Sequence, residues 1–95
     1  MYGLRDELIR EIVGLAKKYD LDSVTLFGSR ARGDNRPRSD IDLAVSGGDY
    51  DRFALDVDEE TSTLLMFDIV NLDKPVQPEL LESIRRDGKL LYAKV

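Results

Sequence analysis

Gly28-Ser29-Arg30-Ala31-Arg32-Gly33-Asp34-Asn35-Arg36-Pro37-Arg38-Ser39-Asp40-Ile41-Asp42-Leu43 is the stretch on which the reading of this chain turns. Its second half alternates polar and apolar, which predicts a strand over Ser39 to Ser46 with Asp40 and Asp42 on one face, roughly 6–7 Å apart at Cα. Two anions placed side by side repel and resist losing water unless a cation sits between them. An Asp-x-Asp pair alone is more simply a solvent-facing strand edge. What precedes it changes that balance. A short β-prone run, Ser23 to Phe27, stops at Gly28-Ser29. Glycine there lets backbone approach a ligand closely, and the serine hydroxyl with successive amides can cradle phosphate oxygens. Arg30 and Arg32 add positive charge where such phosphates would lie.

Composition narrows the chemistry. The 95 residues include no cysteine and no histidine. Disulfides, thiolate zinc sites, thiol nucleophiles and the commonest general base are therefore excluded. What remains is carboxylate, hydroxyl, lysine and arginine chemistry, to which an oxygen-loving cation such as Mg²⁺ is suited. The net charge of −5 argues against a long nucleic acid as principal partner. Arg30, Arg32, Arg36 and Arg38 nonetheless form a basic loop on this acidic chain, which suits a small anion such as a triphosphate. The longest apolar run, Leu64-Leu65-Met66-Phe67, is far too short to span a bilayer, and acids occupy the N-terminal region where a signal peptide needs apolar residues. A cytoplasmic location and no membrane partner are expected.

Working outward, Leu4, Leu8, Ile9, Ile12, Val13, Ala16 and Tyr19 recur at helical spacing and predict an amphipathic helix from Leu4 to Tyr19. Gly28 to Arg38 reads as loop, punctuated by Gly, Asp, Asn and Pro. Gly47-Gly48 ends the Asp-bearing strand, and Asp49 suits the N-cap of a second helix carrying Tyr50, Phe53, Ala54 and Val57 on one face. Leu64 to Leu72 is the most β-like segment. Pro78 then opens a third helix, Gly88 closes it, and Lys89 to Lys94 predicts a last strand. The order α-β-β-α-β-α-β predicts an α+β fold: one domain over 1–95, with a single mixed sheet of about four strands and helices packed on it.

Asp68 lies inside Leu65-Met66-Phe67-Asp68-Ile69-Val70, where an ionised carboxylate among apolar neighbours is unfavourable without a cation or donors. It is the candidate third acid. Asp73 falls in a turn-like run, Asn71 to Pro75, and is a poorer choice. Asp56 and Asp58 repeat the Asp-x-Asp spacing, but on a predicted helix, where i and i+2 diverge. They read as a solvated face, and Tyr2, Tyr19, Tyr50 and Tyr92 as core or rim residues.

Gly28-Ser29, ten residues from Arg30 to Ser39, then Asp40-Ile41-Asp42 resembles the signature of the DNA polymerase β-like nucleotidyltransferases. The finer form, Gly-Ser-Arg-Ala-Arg-Gly followed by Ser-Asp-Ile-Asp-Leu, is similar to their shortest branch, the minimal nucleotidyltransferases. The resemblance implies the polymerase β-like fold, catalytic and metal-binding roles for Asp40, Asp42 and Asp68, and a triphosphate held by Gly28, Ser29 and Arg30. It implies a two-metal Mg²⁺ site, a nucleoside triphosphate donor with ATP favoured, and transfer of NMP to a hydroxyl with release of pyrophosphate. It also implies an antitoxin role in a toxin–antitoxin pair, with a HEPN-domain protein as partner and acceptor, in a homo- or hetero-oligomer of unstated size. Two other readings stand beside it: a binding module that neutralises its partner by complex formation alone, and a small-molecule nucleotidyltransferase that builds its substrate pocket as a dimer.

Overall fold

The computed structural model describes residues 2–95. The elements run α1 (Asp6–Lys18), β1 (Ser23–Phe27), α2 (Gly28–Arg32), β2 (Ile41–Ser46), α3 (Tyr50–Glu60), β3 (Phe67–Asn71), α4 (Pro78–Asp87) and β4 (Lys89–Ala93). The four strands form one sheet in the order β3-β2-β1-β4. β1 pairs antiparallel with both β2 and β4, whereas β2 pairs parallel with β3. A parallel neighbour needs a crossover rather than a tight turn, and α3 supplies it. This is the small α+β fold, with one mixed sheet, that the sequence predicts.

The strands bury opposite faces for different purposes. Val24, Leu26, Ile41, Leu43 and Val45 are fully buried and pack with Leu8, Ile12 and Ala16 of α1 and with Phe53 and Val57 of α3. The other face holds a smaller cluster, Phe27, Ala44 and Ile84 of α4, flanked by Val70, Leu72 and Leu80. Alternation places Asp42 beside Ala44 and Asp68 beside Val70, so both carboxylates share this thinly covered face.

The structure corrects some of the predicted elements and boundaries. Residues 28–32 form a short helix, not loop. Gly28 (φ 74°) makes the sharp exit from β1, Gly33 (φ 86°) closes the turn in the left-handed region, and Ala31 is buried between them. The glycines that make the segment look like loop are thus its two boundaries, while Arg and Ala inside it favour helix. β2 and β3 are also shorter than predicted: β2 starts at Ile41, leaving Asp40 just ahead of it, and β3 starts at Phe67, leaving Leu64–Met66 outside.

Other expectations hold in detail. Asp49 caps α3 by accepting from the Arg52 amide at 3.2 Å, Pro78 sits in the first turn of α4, and Gly88 follows its end. Asp49→Ala should remove about 1 kcal/mol of stability, since an unsatisfied first-turn amide remains. In thermal unfolding this corresponds to a midpoint lower by about 4–8 °C. On the acidic stretch of α3, Asp58, Glu59 and Glu60 are exposed, but Asp56 is not simply solvated. It accepts the Tyr19 hydroxyl and lies 3.9 Å from the Lys18 ammonium, tying α3 to α1.

Candidate functional site

Asp42 and Asp68 are direct partners in the parallel β2–β3 register, and their side chains rise from the same face. Asp42 is half-buried, whereas Asp68 is exposed. Burial pushes the Asp42 carboxyl above the usual carboxylate range, and the charges of Asp68 and Asp40 push it further. Arg32 and Arg30 oppose that rise. Asp40 and Asp68 thus both act on Asp42 near the N-terminal end of β2, and added positive charge there would be favourable. The exposure of Asp68 corrects the argument that singled it out: the register beside Asp42, not desolvation, gives this residue its place.

Gly28 meets the carboxylate directly. Phe27 pairs with Asp42, and a Cβ added at Gly28 would collide with the Asp42 Oδ2. The site thus joins the end of β1, the start of α2 and the head of β2 with no side chain between. Gly28 and Ser29 open α2, whose first amides have no helical carbonyl to bond.

The arginines divide in a way the sequence does not reveal. Arg30 is only 3% exposed. Its Nε donates to the Ser39 carbonyl at 3.1 Å, and its Nη2 donates to the carbonyls of Ser39 at 2.9 Å and Pro37 at 3.2 Å. The Arg30 guanidinium, expected to hold phosphate, is turned inward, on to the loop that leads to Asp40. Arg32 is more open. It pairs with Asp34 at 3.1 Å and with Asp87, at the end of α4, at 3.5 Å. Asp87 is held below the usual carboxylate range by Arg86 first and Arg32 second, so it meets Arg32 as an anion.

A groove of about 400 Å³ is lined by Arg38, Leu64, Leu65 and Met66. It adjoins Asp40 because the Ile41 amide donates to the Met66 carbonyl at 2.9 Å. Leu64 and Met66 are strongly exposed there. The only sequence signal for this feature is the apolar run that reads as strand.

The polymerase β nucleotidyltransferase family model matches residues 10–95, and the chain belongs to that family. The chain is a nucleotidyltransferase, and proteins of this fold generally use a divalent metal. Its fold is similar to that of a toxin–antitoxin structure with AMP-PNP (TM-score 0.74, 24% identity, covering 90% of this chain and 73% of that one). It is also similar to a complex of tri-AMPylated Shewanella oneidensis HEPN toxin with MNT antitoxin (TM-score 0.67, 22% identity, 92% and 71% covered). A third similar structure is assigned to the minimal nucleotidyltransferases (TM-score 0.66, 26% identity, 85% and 86% covered). No curated protein matches the chain.

The donor set suits a hard divalent cation, being all carboxylate and electrostatically incomplete at Asp42. Among the described residues no three acids converge closely enough to enclose an ion by themselves. Asp40, Asp42 and Asp68 instead form an open face, which fits cations shared with phosphate oxygens better than an all-protein cage. No described helix is long and apolar enough to cross a membrane.

Proposed function

We propose that this chain transfers a nucleoside monophosphate, AMP from ATP, to a hydroxyl on a partner protein in the cytoplasm. The observation that carries the reading is the Asp42–Asp68 register opposite a Gly28 that leaves the Asp42 carboxylate uncovered. Asp40, Asp42 and Asp68 would hold Mg²⁺. When bound, the metal supplies charge neutralisation at the triphosphate and a lowered pKa for the acceptor hydroxyl. Gly28 and Ser29 present amides to the phosphate chain. Arg32, at the end of α2 and already felt by the Asp42 carboxyl, is the cation that would reach it, exchanging Asp87 for phosphate. In a protein without histidine, Asp40 and Asp68 are the groups that can orient the acceptor hydroxyl.

The toxin–antitoxin structures among the similar folds support a protein acceptor of the HEPN class and an antitoxin role. The exposed Leu64 and Met66 beside Asp40 support a protein surface there. The test is transfer from α-labelled ATP to a purified HEPN-class protein, with Mg²⁺ and then with EDTA. Label on the partner that EDTA abolishes is expected, and Arg32→Ala should raise the KM for ATP about tenfold. Absence of any triphosphate affinity with Mg²⁺ present would overturn the reading. The exposed apolar strip equally suits neutralisation by complex formation alone, and a double variant separates the two. Full protection by Asp40→Ala/Asp42→Ala without ATP would favour the binding module.

A further inference from the structure

We infer that Arg30 is a positioning residue, whose buried guanidinium sets the orientation of Asp40 by clasping the Ser39 and Pro37 carbonyls. The inference rests on the reading that Asp40 holds a metal. Asp40 precedes β2, so the ladder does not fix its backbone from the upstream side. It is pinned from below by the next residue, whose amide bonds to the Met66 carbonyl. From above, the Ser39 carbonyl, part of the peptide group that carries the Asp40 amide, accepts from both Nε and Nη2 of Arg30.

The rest of the loop is arranged around the same grip. Arg36 to Ser39 form a turn in which the Ser39 amide donates to the Arg36 carbonyl and the Arg36 amide donates to the Ser39 Oγ. That turn aims the carbonyls of Pro37 and Ser39 at the guanidinium. α2 supplies the other end: buried Ala31 anchors it in the core, and the buried Arg30 beside it points to these carbonyls. A guanidinium is required because its planar fork meets two carbonyls at once, whereas an ammonium is a point donor that would leave the fork geometry unmade. Removing such an outer contact to a ligating group typically weakens metal affinity or activity 10–100-fold.

Arg30→Lys and Arg30→Met in the full chain test this. Hydrogen exchange of the Ile41 amide, the rung next to Asp40, should quicken about tenfold while amides of α1 and β1 stay unchanged. The half-saturating Mg²⁺ concentration for transfer should rise about tenfold, with the KM for ATP at saturating Mg²⁺ within about twofold of wild type. A raised KM at unchanged metal demand would assign Arg30 to phosphate and overturn the inference. So would unchanged exchange at Ile41, or faster exchange throughout the chain. The wild type gives a reading independent of the variants' folding: the Arg30 Nε proton should exchange slowly and shift on addition of Mg²⁺ alone. Rapid exchange of that proton would also overturn it. If the wild type transfers nothing yet Mn²⁺ broadens the Asp40 and Asp42 amides, and does so at higher concentration in Arg30→Lys, the transfer reading fails and the Arg30 assignment stands.

Discussion

Asp42→Asn should lower NMP transfer on the order of 10³-fold while making the metal-free protein more stable. The two effects have one origin. Asp42 is half-buried and faces two further acids, so its neutral form is favoured in the folded state and its folded pKa lies above the unfolded value. Below the unfolded pKa both states are protonated and the residue is neutral in its effect. As pH rises through the window up to the raised folded pKa, the unfolded chain loses its proton first and stability falls. The full penalty is present once pH exceeds the folded pKa. Asparagine fills the same space without charge. The thermal midpoint of the metal-free variant should therefore lie above that of the wild type, by an amount that solvent screening of the half-exposed site keeps small. Thermal scans of both proteins in EDTA should show this gap at pH 7 and its closure on acidification. Mg²⁺ should then raise the wild-type midpoint and leave the variant's unchanged. A variant that retains transfer, or that is less stable at pH 7 in EDTA, would contradict the assignment.

Gly28→Ala should be strongly damaging to transfer. The position has φ 74°, a conformation that disfavours any Cβ by roughly 1–2 kcal/mol. The added carbon would also collide with the Asp42 Oδ2, so the carboxylate must move aside. Stability should fall by about 2 kcal/mol, and transfer should drop about 10²-fold or more even where the protein is folded, because a displacement near 1 Å suffices. Gly33→Ala is the informative comparison. Its φ of 86° carries the same backbone strain, but nothing lies within 4 Å of the added carbon. It should lose a similar stability with far less loss of transfer, measured at a temperature where both variants are folded.

The local parts of this fold are legible in the sequence because their causes are local. Leu8, Ile12 and Ala16 declare the buried face of α1, Pro78 and Gly88 bracket α4, and Asp49 caps α3. Gly28-Ser29 and Asp40-Ile41-Asp42 are also local, and pairing of Phe27 with Asp42 brings them together. What the residues do not declare depends on contacts distant in sequence. Asp68 owes its place to a parallel pairing with β2, and the desolvation argument reaches it for a reason its exposure does not support. Arg30 and Arg32 look alike in a basic run. They separate because one is buried beside Ala31 under the Pro37–Ser39 carbonyls, while the other reaches Asp87 from the far end of α4. A helix bounded by two glycines is likewise indistinguishable from a loop until the burial of Ala31 is seen.

The antiparallel pairing of β1 with β4 joins Ser23 to Ala93. Most of the chain must therefore be synthesised before the central hairpin acquires its second flank. Contacts of that span slow folding, because a long loop must close before they form. A nascent chain stopped before Lys89 would hold Gly28, Asp42 and Asp68 in sequence, but on a three-stranded sheet with β1 at its bare edge. The ability to handle a nucleotide should consequently arise late and all at once, as residues 89–93 clear the ribosome, rather than accumulate along the length of the domain.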